Sequence, residues 1–397
     1  MTATTMSVTG AQTTPWLDRL AIALLLGFVG SLQISIAAAN ILLTATLACW
    51  VAQLVRDKSR PSAPRFVWAL AAYSAMTLLS SIFSLDPMES LIDSRQLVLF
   101  LIVPAVYDIA RGDRATTVVD VIITVGAAIA VYGIVQYGML HYDNLGRRPQ
   151  GTLGHYMTYS GVLMLVTCTA VARLVFGARD RIWPALVMPA LIVALSLTLG
   201  RSAWVGSSVA VGLLLILKDF RLTALLPVVI AILFALAPDA VTDRMTSVFD
   251  LRDPSSRDRL AMVQTGAAMV KDHPLTGVGP NMVQRLYSQY RDPNGVQKVN
   301  PHLHNVPLQI AAERGLPALA VWIAFVVMLT TDVFGLFRTS QDRVLPAAAL
   351  AGVAAMLAAG MFEYNFGDSE FLMLFLVIVT LPFAAARQGH AAASRHA

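Results

Sequence analysis

Two imidazoles stand two residues apart in Pro301-His-Leu-His-Asn-Val-Pro-Leu-Gln309, immediately ahead of an asparagine. An imidazole exchanges a proton near neutral pH and can activate a hydroxyl nucleophile. His304, next to Asn305 at the start of a predicted helix, is the candidate base or acceptor-orienting group, and His302 is close enough in sequence to exchange that role with it. For an isolated histidine, capping a helix or filling an interface would be the simpler reading. A zinc site on His302 and His304 is weaker still. Residues two apart do not share a helix face, and no cysteine or evident third ligand accompanies them, so no metal is expected.

Arginines form the second set. Arg201 follows the apolar run 183–199 and opens Arg-Ser-Ala-Trp204. A guanidinium near the centre of a bilayer costs about 2.5 to 3.5 kcal/mol and less near an interface, so Arg201 calls for an anion or a wet cavity unless it snorkels to the headgroups. Arg257 and Arg259 open the helical stretch Ser255–Val270, and Arg147 and Arg148 sit side by side in an earlier polar connection. Singly, each reads as a solvated loop charge. Together, five guanidinium groups on one side would make a cationic ring, and their planar forks suit the oxygens of a diphosphate.

Two further features carry less. Gly277-Val-Gly279 lacks a preceding strand and a complete phosphate loop, and reads as turn chemistry. Glu363 and Asp368 could pair as acid and base as in a glycosidase, but their spacing alone does not make that pair. A structural or acceptor-binding role fits Glu363 better.

The elements that position these residues must be membrane helices. The chain has 397 residues, 56% apolar and 13% charged, with mean hydropathy +0.65, where a soluble domain carries about 25% charged residues. That excludes a cytosolic enzyme, a secreted disulfide scaffold and a disordered tail. The net charge of +5 is a matter of membrane sidedness, and no nucleic-acid partner is expected. Cys49 and Cys168 lie in apolar runs and read as small hydrophobes. Twelve apolar segments of spanning character occur near 17–35, 37–55, 66–84, 96–110, 117–138, 157–177, 183–199, 203–217, 222–237, 316–336, 344–362 and 370–386. The first, lacking a clear basic leader, reads as a membrane helix and not a removable signal.

Lysines and arginines of alternate short connections and the tails number sixteen against four on the opposite side, which predicts both termini in the cytoplasm. The nine remaining basic residues fall in one long outer segment. The expected organisation is a transmembrane bundle (1–237, spans one to nine), an outer helical loop (238–315), and spans ten to twelve with a cytoplasmic tail (316–397). Within the loop, one helix is expected over Ser255–Val270. A second is expected from about Leu303 to Arg314, stopped by Gly315 and Pro317. A glycine and proline turn joins them. A twelve-span carrier of the two-half kind would instead have its longest loop between spans six and seven.

Gly200-Arg-Ser-Ala-Trp204, Arg259 within Asp258-Arg-Leu-Ala-Met-Val263, His273-Pro-Leu-Thr-Gly-Val-Gly279, His304-Asn305 with Leu308-Gln309, and Glu313-Arg-Gly315 follow one another in order. This set resembles the signature of the O-antigen ligase and polymerase family, over about residues 148 to 370. The resemblance implies an all-α, GT-C-like membrane protein and a metal-independent, inverting glycosyltransferase that needs no cofactor, working on the periplasmic side of a bacterial inner membrane. Its donor would be a glycan on undecaprenyl diphosphate. The acceptor would be a hydroxyl of the lipid A core in a ligase, completing lipopolysaccharide, or another lipid-linked repeat in a polymerase of O-antigen or exopolysaccharide. Arg201 and Arg259 would then hold the diphosphate with His304 at the reacting hydroxyl. Arg147, Arg148, Arg257, His302, Asn305 and Glu363 would contribute to substrate binding. Such a leaving group needs mainly its charge held and the hydroxyl aimed, which arginines can do. A lipid or solute carrier is the competing reading from another class.

Overall fold

The computed structural model describes residues 15–178, 181–246, 254–293 and 295–393. Arg179, Arg252 and Arg395, counted above among the basic residues, lie outside them. Among the described residues there is no strand, only an isolated bridge between Asn144 and Arg147. The α-helices, numbered along the chain, are α1 Pro15–Ser31, α2 Ile36–Arg56, α3 Val67–Ile82, α4 Pro87–Asp93, α5 Ile102–Ile109, α6 Asp113–Met139, α7 Tyr156–Phe176 and α8 Ile182–Leu197. They continue with α9 Arg201–Lys218, α10 Leu225–Leu236, α11 Asp239–Thr246, α12 Pro254–Asp272, α13 Met282–Tyr290, α14 Val306–Thr339, α15 Val344–Gly360 and α16 Ser369–Ala393.

This is an all-α membrane protein. Seven helical segments are long and apolar enough to cross a bilayer, and four shorter ones are apolar. All twelve expected spans fall on helical segments. The fourth differs from a regular span. Its first half is a 3-10 helix, Ser94–Leu101, running on from α4 into α5, so the apolar segment there is Pro87–Ile109.

The centre of the bundle is α7, α15 and α16. In α15, Val344-Leu-Pro-Ala-Ala-Ala-Leu-Ala-Gly-Val-Ala-Ala-Met-Leu-Ala-Ala-Gly360 is buried almost throughout. Its alanines and glycines let α7, α9, α14 and α16 approach closely. In hydrocarbon such close packing, more than the expulsion of water, holds helices together. An aromatic group fills the space beside it, with Phe66 against Phe325 and Phe383, and Phe366 against Tyr73 and Trp322.

The region ahead of α14 contains α11 and α13 in addition to the expected α12. The second expected helix starts at Val306, capped by the Asn305 side chain accepting from Leu308 N (2.9 Å), and is interrupted at Gly315 (φ 83°, ψ 168°) as expected, the tenth span following directly beyond the kink within α14. Pro317 lies just past the break, where a proline is tolerated in a new first turn. At the break Leu316 N donates to Pro274 O (2.8 Å). The freed carbonyls take other donors: Ala312 O from Val278 N (2.8 Å) and Glu313 O from Gly279 N (2.9 Å) and Ser80 Oγ (2.8 Å).

Gly277-Val-Gly279 therefore makes a turn, as expected, and also pins the α12–α13 connection onto the kinked helix. The fit leaves no room for a side chain. A Cβ on Gly277 (φ 67°) would sit 2.3 Å from the carbonyl of Glu313, and one on Gly315 2.2 Å from Leu275 O. Alanine at either position also carries the cost of a positive φ, on the order of 1 kcal/mol or more. Gly277→Ala and Gly315→Ala should lower the thermal unfolding midpoint of the detergent-solubilised protein. Gly335→Ala, in α14 where a Cβ meets nothing within 4 Å, should leave it unchanged or raise it. A Gly315→Ala protein as stable as the parent would show that the kink does not depend on the close approach at Gly315.

Candidate active site

Arg201 is the first residue of α9, and its burial follows from the turn before it. Leu199 adopts a left-handed conformation (φ 54°) and Thr198 Oγ1 accepts from Gly200 N (3.3 Å), so the chain reverses within three residues. Trp204, one turn on, donates Nε1 to Leu195 O (3.0 Å) and locks α9 against the end of α8. The Arg201 guanidinium is buried and donates Nη2 to Ser255 Oγ (3.0 Å), fastening the start of α12.

A cavity of about 250 Å³ opens here, with Arg148, Arg201, Arg244 and Arg259 on its wall beside Tyr156, Ser255 and Glu363. Arg148 packs over the Tyr156 ring at 4.2 Å. The fold thus brings Arg148, Arg201 and Arg259 together as the sequence predicted, and adds Arg244, which sequence reasoning missed. Arg244 lies in α11, Asp239-Ala-Val-Thr-Asp-Arg-Met-Thr246, a short polar helix with no apolar stripe to single it out, yet its side chain is buried. The other two predicted arginines are elsewhere. Arg147 packs over the Tyr142 ring at 4.3 Å, and Arg257 is exposed; neither lines this cavity. Two residues apart on α12, Arg257 and Arg259 necessarily point to different faces.

Glu363, between α15 and α16, joins the arginines to the histidines. It lines this cavity and an adjoining one of about 150 Å³ that also carries His155, Thr158, His302 and Asp368; Met157, Ser160 and Ser202 are common to both. His304 Nδ1 lies 3.0 and 3.1 Å from the two Glu363 oxygens. A carboxylate accepts only, so Nδ1 carries the hydrogen and donates, leaving Nε2 as the basic nitrogen. Glu363 also accepts from Tyr364 N (3.1 Å). Behind this loop, Arg314 donates to Glu313 (2.7 Å) and to the Tyr364 hydroxyl (3.3 Å), so the kinked helix holds the loop that presents Glu363. His304 itself has positive φ (47°), a conformation uncommon outside glycine and asparagine.

The His302 ring packs edge-on to His304, centroids 4.1 Å apart, with its Nε2 3.8 Å from Glu363. Burial, reinforced by the neighbouring His304, lowers its pKa from the ordinary 6.5 to about 4 against the opposing pull of Glu363. It is neutral at pH 7. Burial alone would raise the Glu363 carboxyl, but the hydrogen bond from His304 and the charges of both histidines outweigh it and hold the pKa below the ordinary glutamate value. Asn305 serves the scaffold, capping α14 and donating Nδ2 to Met361 O (3.1 Å), which ties the α14 start to the Glu363 loop.

A third ligand-type group, absent from the local sequence around the two histidines, comes from the fold. His302, His304 and Glu363 place ligand atoms within 4.8 Å of one another, a set that could hold a cation. The same three groups also form a complete carboxylate–imidazole arrangement, in which Glu363 fixes the His304 tautomer directly.

Residues 185–323 match the family model described as O-antigen ligase. The match begins in α8 and ends in α14, so it contains Arg201, Arg244, Arg259, His302 and His304, while Arg148 and Glu363 lie outside it. No curated protein matches the chain. The chain is a multi-pass membrane protein, about a third of which resembles the O-antigen ligase family.

Acid should weaken this site. The unfolded chain protonates His302 near 6.5 and the folded site resists until about 4, so stability falls as pH drops through that window. Glu363, with its folded pKa depressed, contributes stability above the ordinary glutamate range that is lost as pH falls toward its folded value; both act in the same direction. Unfolding midpoints in detergent should fall between pH 7 and 4.5, and fall less in His302→Phe. An equal fall in the variant would show that His302 is not the group responsible.

Proposed function

We propose that this protein is an O-antigen ligase that transfers a glycan from undecaprenyl diphosphate to a hydroxyl of the lipid A core, without a metal, on the periplasmic face of the inner membrane. One observation carries the reading. Four guanidinium groups surround a single cavity whose wall, Glu363, also holds an imidazole, within and beside a segment that matches the O-antigen ligase family.

Arg148, Arg201, Arg244 and Arg259 neutralise the diphosphate of the donor. Fixed guanidinium groups in a partly dry cavity stabilise the charge that grows on the leaving oxygen, the largest single contribution expected in such a transfer. The acceptor occupies the adjoining cavity, where Thr158, Glu363, Asn365 and Asp368 offer hydrogen-bonding partners to a sugar. The acceptor oxygen attacks the anomeric carbon from the face opposite the diphosphate. The bond from that carbon to the phosphate oxygen breaks, configuration inverts, and undecaprenyl diphosphate leaves. His304 Nε2 takes the hydroxyl proton while Glu363 stabilises the imidazolium through Nδ1–H. Neutral His302 packs against the base and keeps water from it. The polyprenyl chain lies in lipid beside the bundle. This reading places residues 238–315 outside the membrane between the spans and both termini in the cytoplasm, as the distribution of basic residues suggests.

Transfer by purified protein from a lipid-linked donor is the direct test. Arg201→Ala, Arg244→Ala and Arg259→Ala should each lower the rate by about 10²- to 10³-fold, whereas Arg257→Ala should be close to the parent. His304→Ala should cost about 10²- to 10⁴-fold, His302→Ala much less, and Glu363→Gln should shift the pH–rate profile. Product should form with lipid A core as acceptor and survive excess EDTA. Product formed only with a second lipid-linked repeat would assign a polymerase. Loss of activity in EDTA that zinc restores would make His302, His304 and Glu363 a metal site.

A further inference from the structure

At the end of the bundle opposite the arginine–histidine site, a second cavity of about 250 Å³ is lined by Arg56, Arg60, Arg111, Arg114 and Arg387. They come from the end of α2, the α2–α3 connection, the α5–α6 junction and the last turns of α16, far apart in sequence. Its carboxylates are Asp18, Asp57 and Asp108, which leaves five guanidinium groups against three carboxylates, a formal excess of two positive charges.

Those carboxylates are already engaged. Asp108, nearly buried, accepts from Trp50 Nε1 (2.9 Å), Ser62 Oγ (3.0 Å), Arg111 (3.1 Å) and Arg387 (2.5 Å). Asp18 accepts from Gln53 (2.9 Å) and Arg56 (3.5 Å), and Asp57 from Arg56 (2.6 Å). The excess therefore rests on Arg60 and Arg114. Arg114 donates only to the backbone carbonyl of Ile109 (3.3 Å), and Arg60 makes no hydrogen bond or ion pair among the described residues.

The surroundings say which anion belongs there. Trp16, Trp68 and Trp183 are exposed in the first turns of α1, α3 and α8, helices that begin at this end. Exposed indoles mark the depth of lipid headgroups. Leu54 and Ile109 add apolar wall between the arginines. A cavity at headgroup depth with surplus guanidinium groups and an apolar side fits a phosphate attached to an acyl chain better than a free ion. We propose that it binds the phosphate of an anionic phospholipid, with Arg60 and Arg114 contacting the headgroup and Asp108 fixing the arginines around it. The proposal is independent of the transfer reaction.

Native mass spectrometry of the full chain, released from nanodiscs holding equal phosphatidylglycerol and phosphatidylcholine, would count retained lipid. Phosphatidylglycerol should be retained preferentially. Arg60→Gln and Arg114→Gln should each weaken retention about five-fold and multiply in the double variant, while Arg60→Lys and Arg114→Lys should largely preserve it. Equal retention of the two lipids, or unchanged retention in the double glutamine variant, would overturn the proposal. Displacement of phosphatidylglycerol by inorganic phosphate would overturn the lipid as its source.

Discussion

A helix interrupted at one glycine strands the carbonyls just ahead of it, and a buried carbonyl must find another donor. At Gly315 the donors are Val278 N, Gly279 N and Ser80 Oγ, so the break that bends α14 also draws the α12–α13 connection and the end of α3 onto it. Much of the site follows from that arrangement. The first part of α14 carries its Asn305 cap to Met361, placing His304 against Glu363, and Arg314 secures the same loop from behind through Tyr364. The pieces ahead of α14 form a small core of their own, with Met262, Met269, Val283, Tyr287 and Leu303 in contact. The start of α12 then reaches Arg201 through Ser255.

Charge is handled differently at the two ends of the bundle. At one end Asp108 gathers two arginines, a tryptophan and a serine, and most of the positive charge is neutralised in place. At the other end four arginines line one cavity, where, among the described residues, Glu363 is the carboxylate on the wall and is held by His304. Guanidinium groups brought this close concentrate positive charge that favours an anion. In the proposed transfer that fixed charge would act on the diphosphate without reorganising during the reaction.

The membrane class and the helical segments are legible in the sequence alone, as is the resemblance of its ordered motifs to the O-antigen ligase family. Length and apolarity decide spanning helices because backbone groups in hydrocarbon must bond within the segment. Arg201 and Arg259 were legible because an arginine at the end of an apolar run, and another on the edge of an amphipathic helix, stand out against their surroundings. Which guanidinium groups share a cavity follows from tertiary packing alone. Arg257 and Arg147 point elsewhere, and Arg244 joins from a helix with no distinguishing pattern. The Glu363 partner of His304 lies 59 residues away, and the third ligand-type group beside the histidines was invisible for the same reason. Local periodicity reports which face a residue occupies on its own helix. Which faces meet is set by the close packing around α15 and by the break at Gly315, through contacts between segments distant in the chain.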